Sequence, residues 1–550
     1  MSASRQLPPL GIRFERGSVI GEGTKAVFHD LKPVTVREPV EREELGRARS
    51  LQRTRSLVRF VQLTDLQLAD VRSPARIEYV NQYVDHADVL PLLLGYRPYE
   101  FLAGSVLIEM IRAMNELPPS ADTGAGLSLA VLTGDMIDNG QTNEFEWLMR
   151  LLEGGSARLS SADGGPESVH SGWSGSRAYW TPDGGRDDFK EFLGYPVMEG
   201  LLDRAGREVE SPGLQFDWIL CNGNHEILVQ GDGRVSDSVF DVYEGPSKSV
   251  DLPGRIDTPY VDRFRRAPEE FFRSAPQREV PPDPRRRPMS KREQLRRIYE
   301  AGGTPDGHGL TENDISLERS YFSYDVGEQV RFVVLDSAYE GGSALGAISR
   351  TQFEWMVEQV TEVCPAELRS VGRHVFAPEL ETIGSRYVIV VSHHPSTHFD
   401  NPLVCDSTGY VQGQELIETL HSFGNVVCWL TGHTHRNLVV PHRAPTPGQW
   451  GFWEITTSSL MDWPCESRIV ELIEVDDALV IRTDMVNFMG SNESDGTGWM
   501  AYWHRVLASQ HPWVGIGSGR EGEPADRDAR LWLDRRLPSA YAAVGSSKRR

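Results

Sequence analysis

Residues 127–140 read LSLAVLTGDMIDNG. The run Leu127–Leu132 is short and apolar, as a strand covered on both faces would be. It breaks at a glycine, and Asp135 and Asp138 follow at once. Four other stretches repeat this order. VRFVQLTD (58–65) ends on Asp65 and runs on to Gln67, and WILCNGNHE (218–226) carries Asn224 and His225. YVIVVSHH (387–394) carries His393 and His394, and VVCWLTGHTH (426–435) delivers His433 and His435. A further apolar run spans Val330–Leu335. Helical spacing predicts helices over Phe101–Met114, Glu144–Leu152 and Gln352–Val363, the first stopping before Pro118 and Pro119. Strands alternating with helices make this an α/β protein. In open α/β sheets the ligand site lies at the carboxyl ends of the strands, so the five clusters can meet in one crevice.

Taken singly, each cluster is ordinary. An Asp after a strand is usually a turn or a helix N-cap, and paired histidines arise on surfaces. Five such clusters at strand ends, all oxygen or nitrogen donors and none a thiolate, point instead to a metal centre. Imidazole combined with carboxylate suits Mn, Fe, Co or Zn.

Composition narrows the partners. The net charge of -22 over 550 residues argues against nucleic acid and anionic membranes, which need a basic footprint. No apolar run reaches the roughly 18 residues of a membrane span, and the N-terminus lacks the apolar core of a secretory signal. A cytoplasmic protein is the expectation. The cysteines, five in number with no CxxC pair, form neither a disulfide framework nor a zinc knuckle.

The organisation expected is an N-terminal extension or hairpin over 1–55, an α/β body over 56–490 and a tail over 491–550. Two insertions interrupt the body, at about 153–212 and 228–318. The first opens with a Gly/Ser-rich stretch over 153–186 and reads as a flexible surface excursion. The second includes RRRPMSKREQLRR (285–297), which reads as a solvated helix face. It leaves the chain directly after GNHE, so it is expected to wall or roof the crevice. The amphipathic stretch Ala529–Leu537 reads as a helix packed on the body.

The ordered series of D-x-x, GDxxD, GNHE, HH and GHTH resembles the calcineurin-like metallophosphoesterase superfamily over about residues 57–490. Within it, a bacterial subgroup with a long insertion between GNHE and HH is most similar. YFSYDVGEQVRFVVLDS (321–337) fits the same pattern. The resemblance implies a four-layer α/β/β/α sandwich of two mixed sheets, with two divalent transition metals at the strand ends. It implies that Asp65 and His435 hold one metal, that Asp135 bridges, and that Asn224, His393 and His433 hold the other. His225 would then protonate the leaving alkoxide or bond a phosphoryl oxygen, with Asp138 orienting its ring. One position departs from the family's usual Asp-x-His. Here it is Gln67, a neutral and weaker donor than imidazole, taken as a ligand of the first metal.

Substrate contacts are expected from Arg436, Asn401, His398 and His308, the first because a guanidinium fork matches phosphate. His394 is expected to orient its loop rather than bind metal. The function implied is hydrolysis of a small phosphomonoester or phosphodiester. The alternatives are a phosphoprotein phosphatase and a non-catalytic scaffold. Oligomeric state is not legible in the chain.

Overall fold

Parallel apolar strands form because the runs above are buried on both faces. A computed structural model describes residues 10–36, 38–83, 95–162, 167–254, 258–370, 384–476, 478–490, 496–535 and 537. It is mixed α/β, with one seven-stranded and one six-stranded mixed sheet plus helices. The seven-stranded sheet runs in the order Val40–Leu45, Ala529–Leu533, Ala478–Val486, Ser467–Val475, Thr54–Leu63, Leu129–Leu132 and Asp217–Leu220. Its last three strands are parallel, Phe60 pairing with Leu129 and Leu129 with Asp217. The six-stranded sheet runs Phe322–Val326, Val330–Val334, Tyr387–Val391, Val426–Thr431, Phe452–Thr456 and Leu438–His442, with the middle four parallel.

Alternation along the six-stranded sheet divides its side chains between two cores. Val330, Phe332 and Val334 join the cluster that also holds Phe60 and Leu63 of the other sheet, and the Phe60 and Phe332 rings meet edge-on at 5.2 Å. Val333 and Val390 point the other way, toward Phe353, Met356 and Val360 of the helix Arg350–Glu362. Each such side chain contributes roughly 1.5–3 kcal/mol on leaving water, which is why these runs carry no polar alternation. Ser349 caps that helix by accepting the Gln352 N–H.

The ends of the chain meet in one sheet. Ile12–Glu22 and Val27–Thr35 form the N-terminal hairpin, and Val40–Leu45 then pairs in parallel with Ala529–Leu533. The stretch expected to be a C-terminal helix is therefore a strand. ARLWL buries Leu531 with the main core and Trp532 with a second cluster on the opposite face, the period-2 pattern of a sheet. The helix of this region is Thr497–Ser509, packed on Ala103–Asn115. Residues 1–9, 491–495 and 538–550 of the outer segments lie outside the described residues.

The described residues of both insertions are packed. In the first, Trp180 and Tyr179 are buried, and Trp180 donates its backbone N–H to the Tyr96 hydroxyl at 2.8 Å. Glycine-rich composition masked these aromatic anchors; residues 163–166 lie outside the described residues. In the second, helices Thr258–Arg266, Pro268–Ser274 and Lys291–Tyr299 pack, the last with a Ser290/Glu293 capping box. Its basic stretch is only partly a solvated face, because Arg286 is fully buried against Asp70 at 3.2 Å. Among the described residues no helix is long and apolar enough to cross a membrane.

Candidate metal centre

Strained turns bring the strand-end residues together. Asp65, Gln67, Asp135, His433 and His435 hold left-handed backbone, with φ of 53°, 47°, 52°, 66° and 54°. Each such non-glycine residue costs on the order of 1–3 kcal/mol, and such strain clusters at functional sites. The turns close only beside glycine. A Cβ on Gly432 would stand 2.1 Å from Thr64 Oγ1, and one on Gly223 would stand 2.2 Å from Asp135 Oδ1. Glu226 fastens two turns from below, accepting the N–H groups of Asp135, Met136 and Gly223 at 2.8, 2.6 and 2.7 Å. Burial, aided by the Asp135 charge, pushes its carboxyl up to about 7.

The donor atoms face one another. Asp65, Asp135 and His393 present ligand atoms within 4.8 Å of one another, so they could hold a metal ion. His393 Nδ1 donates to the Thr133 carbonyl at 2.7 Å, which leaves the Nε2 lone pair 3.1 Å from Asp135 Oδ2. His435 repeats the arrangement. Its Nδ1 donates to Asp462 at 2.6 Å, and its Nε2 stands 3.1 Å from Asp65 Oδ1. A lone pair against a carboxylate oxygen is repulsive unless a positive charge, proton or cation, lies between them. The same demand shows in His393. Burial works to lower its pKa, yet Asp135 and Asp65 raise it to about 10. His435 is raised against burial by Asp65 and Asp462.

Four buried atoms here make no hydrogen bond: Asp65 Oδ1, Gln67 Oε1, Asn224 Oδ1 and His393 Nε2. The three oxygens carry lone pairs and no proton to donate, and the His393 nitrogen faces a carboxylate. Buried polar atoms are normally paired, so this donor set fits a bound metal ion. His433 stays neutral, its pKa lowered by burial and by His394 and His393. His394 stands close enough to join His393 and His433 around an ion. Both its nitrogens are committed, however, Nε2 to the Ala344 carbonyl at 3.0 Å and Nδ1 to the Ser337 hydroxyl at 2.8 Å. It fastens the loop instead.

His225 lines the cleft, and its ring is oriented differently from expectation. Nδ1 donates to the backbone carbonyl of Asp138 at 2.5 Å, while the Asp138 carboxylate is 3.8 Å away. That carboxylate is held by Arg76 at 2.5 Å and by the Gln230 amide. Asp138 thus orients His225 through its main chain.

The softer candidates divide. The His398 ring lies 5.2 Å from that of His433, beside the centre. Arg436 is exposed and does not line the cleft. Asn401 is buried, donating to the Gly342 and Leu345 carbonyls at 3.1 and 2.6 Å. His308 is stacked on Trp218 at 3.6 Å, with both nitrogens on carbonyls. These last two hold loops together.

Other residues at the site were missed in the sequence. Asp462, which orients His435, follows a sixth strand, Phe452–Thr456, and is gripped by Arg97 at 2.7 Å and the Tyr99 hydroxyl at 3.1 Å. The available signal was the same one, an apolar strand running out into polar residues. Arg520 enters from the tail and lines the cleft beside His435, donating to the Thr434 and His435 carbonyls at 3.2 and 3.4 Å. The cleft measures about 700 Å³ including its mouth, and Gln230 and Asp232 of the second insertion form part of its wall. No protein-family model and no curated protein matches this chain.

Proposed function

We propose that this protein is a metal-dependent phosphoesterase acting on a phosphomonoester or phosphodiester of a small molecule. The reading rests on the paired contacts His393–Asp135 and His435–Asp65, where lone pair meets carboxylate at 3.1 Å and positive charge is required. Asp65, Gln67, Asp135 and His435 would hold one cation, and Asp135, Asn224, His393 and His433 the other. Bound there, two divalent cations supply an activated water and charge for an in-line displacement at phosphorus. The Phe60–Phe332 contact and the helix on the far side of the six-stranded sheet support a four-layer α/β/β/α sandwich as the frame.

The chain's own residues supply the rest. Thr133 and Asp462 fix the tautomers of His393 and His435, so that Nε2 faces inward in both. The Asp138 carbonyl fixes His225 in the same sense, leaving Nε2 as the atom able to carry a proton to the leaving oxygen. Cleft walls from the second insertion support a small substrate rather than a protein surface.

The test is metal analysis of protein purified with added Mn, followed by turnover of mono- and bis-p-nitrophenyl phosphate. Bound metal and metal-dependent hydrolysis of either compound are expected. Metal-loaded protein that hydrolyses neither overturns the reading.

A further inference from the structure

Gln67 touches both halves of the centre's chemistry. Its side-chain nitrogen Nε2 lies 3.0 Å from His225 Nε2, while its Oε1 is buried without a hydrogen-bond partner. Which amide atom faces the ring follows from the ring's other end. His225 Nδ1 sits 2.5 Å from the Asp138 carbonyl, which can only accept, so Nδ1 carries the hydrogen. In the neutral ring Nε2 is then an acceptor, and the facing amide atom must be the donating nitrogen. That turns Oε1 the other way. Gln67 shares its left-handed turn with Asp65, whose Oδ1 is also unpartnered.

We infer that Gln67 is a positioning residue with two simultaneous tasks: its Oε1 is a ligand for the cation held by Asp65, and its Nε2–H holds His225 Nε2. This rests on the metal-centre reading above. One amide thereby ties the cation to the proton-carrying ring. Imidazole could not serve both at once, since a ring ligating through one nitrogen has its second nitrogen on the far side.

Two variants separate the tasks. Gln67→Glu is isosteric and keeps an oxygen for the cation but cannot donate to Nε2. Gln67→Met keeps the length and loses both functions. Metal affinity is read by equilibrium dialysis of stripped full-length protein with Mn or Zn. Ring state is read from the imidazole nitrogen signals of His225 in ¹⁵N-histidine-labelled, Zn-loaded protein, assigned by their absence in His225→Gln.

Expected are metal affinity in Gln67→Glu at or above wild type, and a loss of roughly tenfold or more in Gln67→Met. The His225 signals should shift in both variants. Wild-type metal affinity in Gln67→Met overturns the ligand task, and unchanged His225 signals in Gln67→Glu overturn the positioning task. Neither readout needs turnover. Absence of phosphoesterase activity therefore counts against the proposed function and leaves this inference standing or falling on its own measurements.

Discussion

The two sheets bring different chemistry to the cleft. The seven-stranded sheet ends in oxygen donors, Asp65, Gln67, Asp135 and Asn224; the six-stranded sheet ends in imidazoles, His393, His433 and His435. The oxygen half carries the negative charge and is pinned by main-chain N–H groups. His225 N–H reaches Asp135 Oδ1 at 2.8 Å, and His433 N–H reaches Asp65 Oδ2 at 3.0 Å. In the nitrogen half, His393 and His435 are aimed by acceptors on Nδ1. Each half is partly held by the other, since His433 caps Asp65 and the Thr133 carbonyl turns His393. Charge comes from one sheet and direction from the other, so isosteric changes in each should fail differently.

Asp135→Asn attacks the charge and should have the largest effect. One anion between two cations offsets much of their repulsion, so the variant should lose both metal and turnover while remaining folded. Metal analysis alongside a circular-dichroism melt checks this. Unchanged metal content would remove Asp135 from the bridging position.

His225→Ala comes next, because it leaves both ligand halves intact. Metal content should persist and turnover should fall by roughly 10²–10⁴. The loss should be small for p-nitrophenolate and large for an alkyl alcohol, which needs a proton to leave. Equal slowing of good and poor leaving groups would show an electrostatic role instead.

Asp462→Asn attacks direction. The asparagine can still accept from His435 Nδ1 but gives less basicity to the ring, and metal affinity should fall about 10–100-fold. Arg97, buried beside the cleft, loses a charged partner, so some stability is lost as well. A titration of stripped protein, compared with Asp135→Asn, sharpens the contrast. If the two variants bind metal equally badly, the halves are not distinct.

The strand-end residues were legible because ligand and strand are contiguous in the chain, and all five clusters do meet. Contacts made over long separations were not. Asp462 serves His435 from the next strand, and Arg76 grips Asp138 from 62 residues upstream. ARLWL suited either period until its partner, Val40–Leu45, some 490 residues earlier, decided for a strand. His308 and Asn401 were read as ligand contacts because polar residues in loops near motifs invite it. Their carbonyl partners are visible only in the fold. The Gly/Ser-rich insertion was misjudged for a related reason, since composition reports average polarity and a few buried aromatics such as Tyr179 and Trp180 anchor it.

The smallest effect concerns which arginine meets the substrate. Arg436 follows GHTH directly, yet it points to solvent and lies off the cleft. Arg520 is 84 residues further on and lines the cleft, its side chain 18% exposed. Near it, Asp462 is the anion for two guanidiniums, Arg97 at 2.7 Å and Arg520 at 3.7 Å. Arg520 makes the looser of these two contacts, which leaves its guanidinium fork suited to a phosphoryl oxygen at the mouth. A charge-assisted hydrogen bond contributes about 1.5–3 kcal/mol, so Arg520→Ala should raise KM by roughly tenfold or more, with metal content unchanged. Arg436→Ala should stay within about twofold, as surface substitutions usually do. Steady-state kinetics on both variants decides the matter. A raised KM in Arg436→Ala and none in Arg520→Ala would return the substrate to the residue beside the motif.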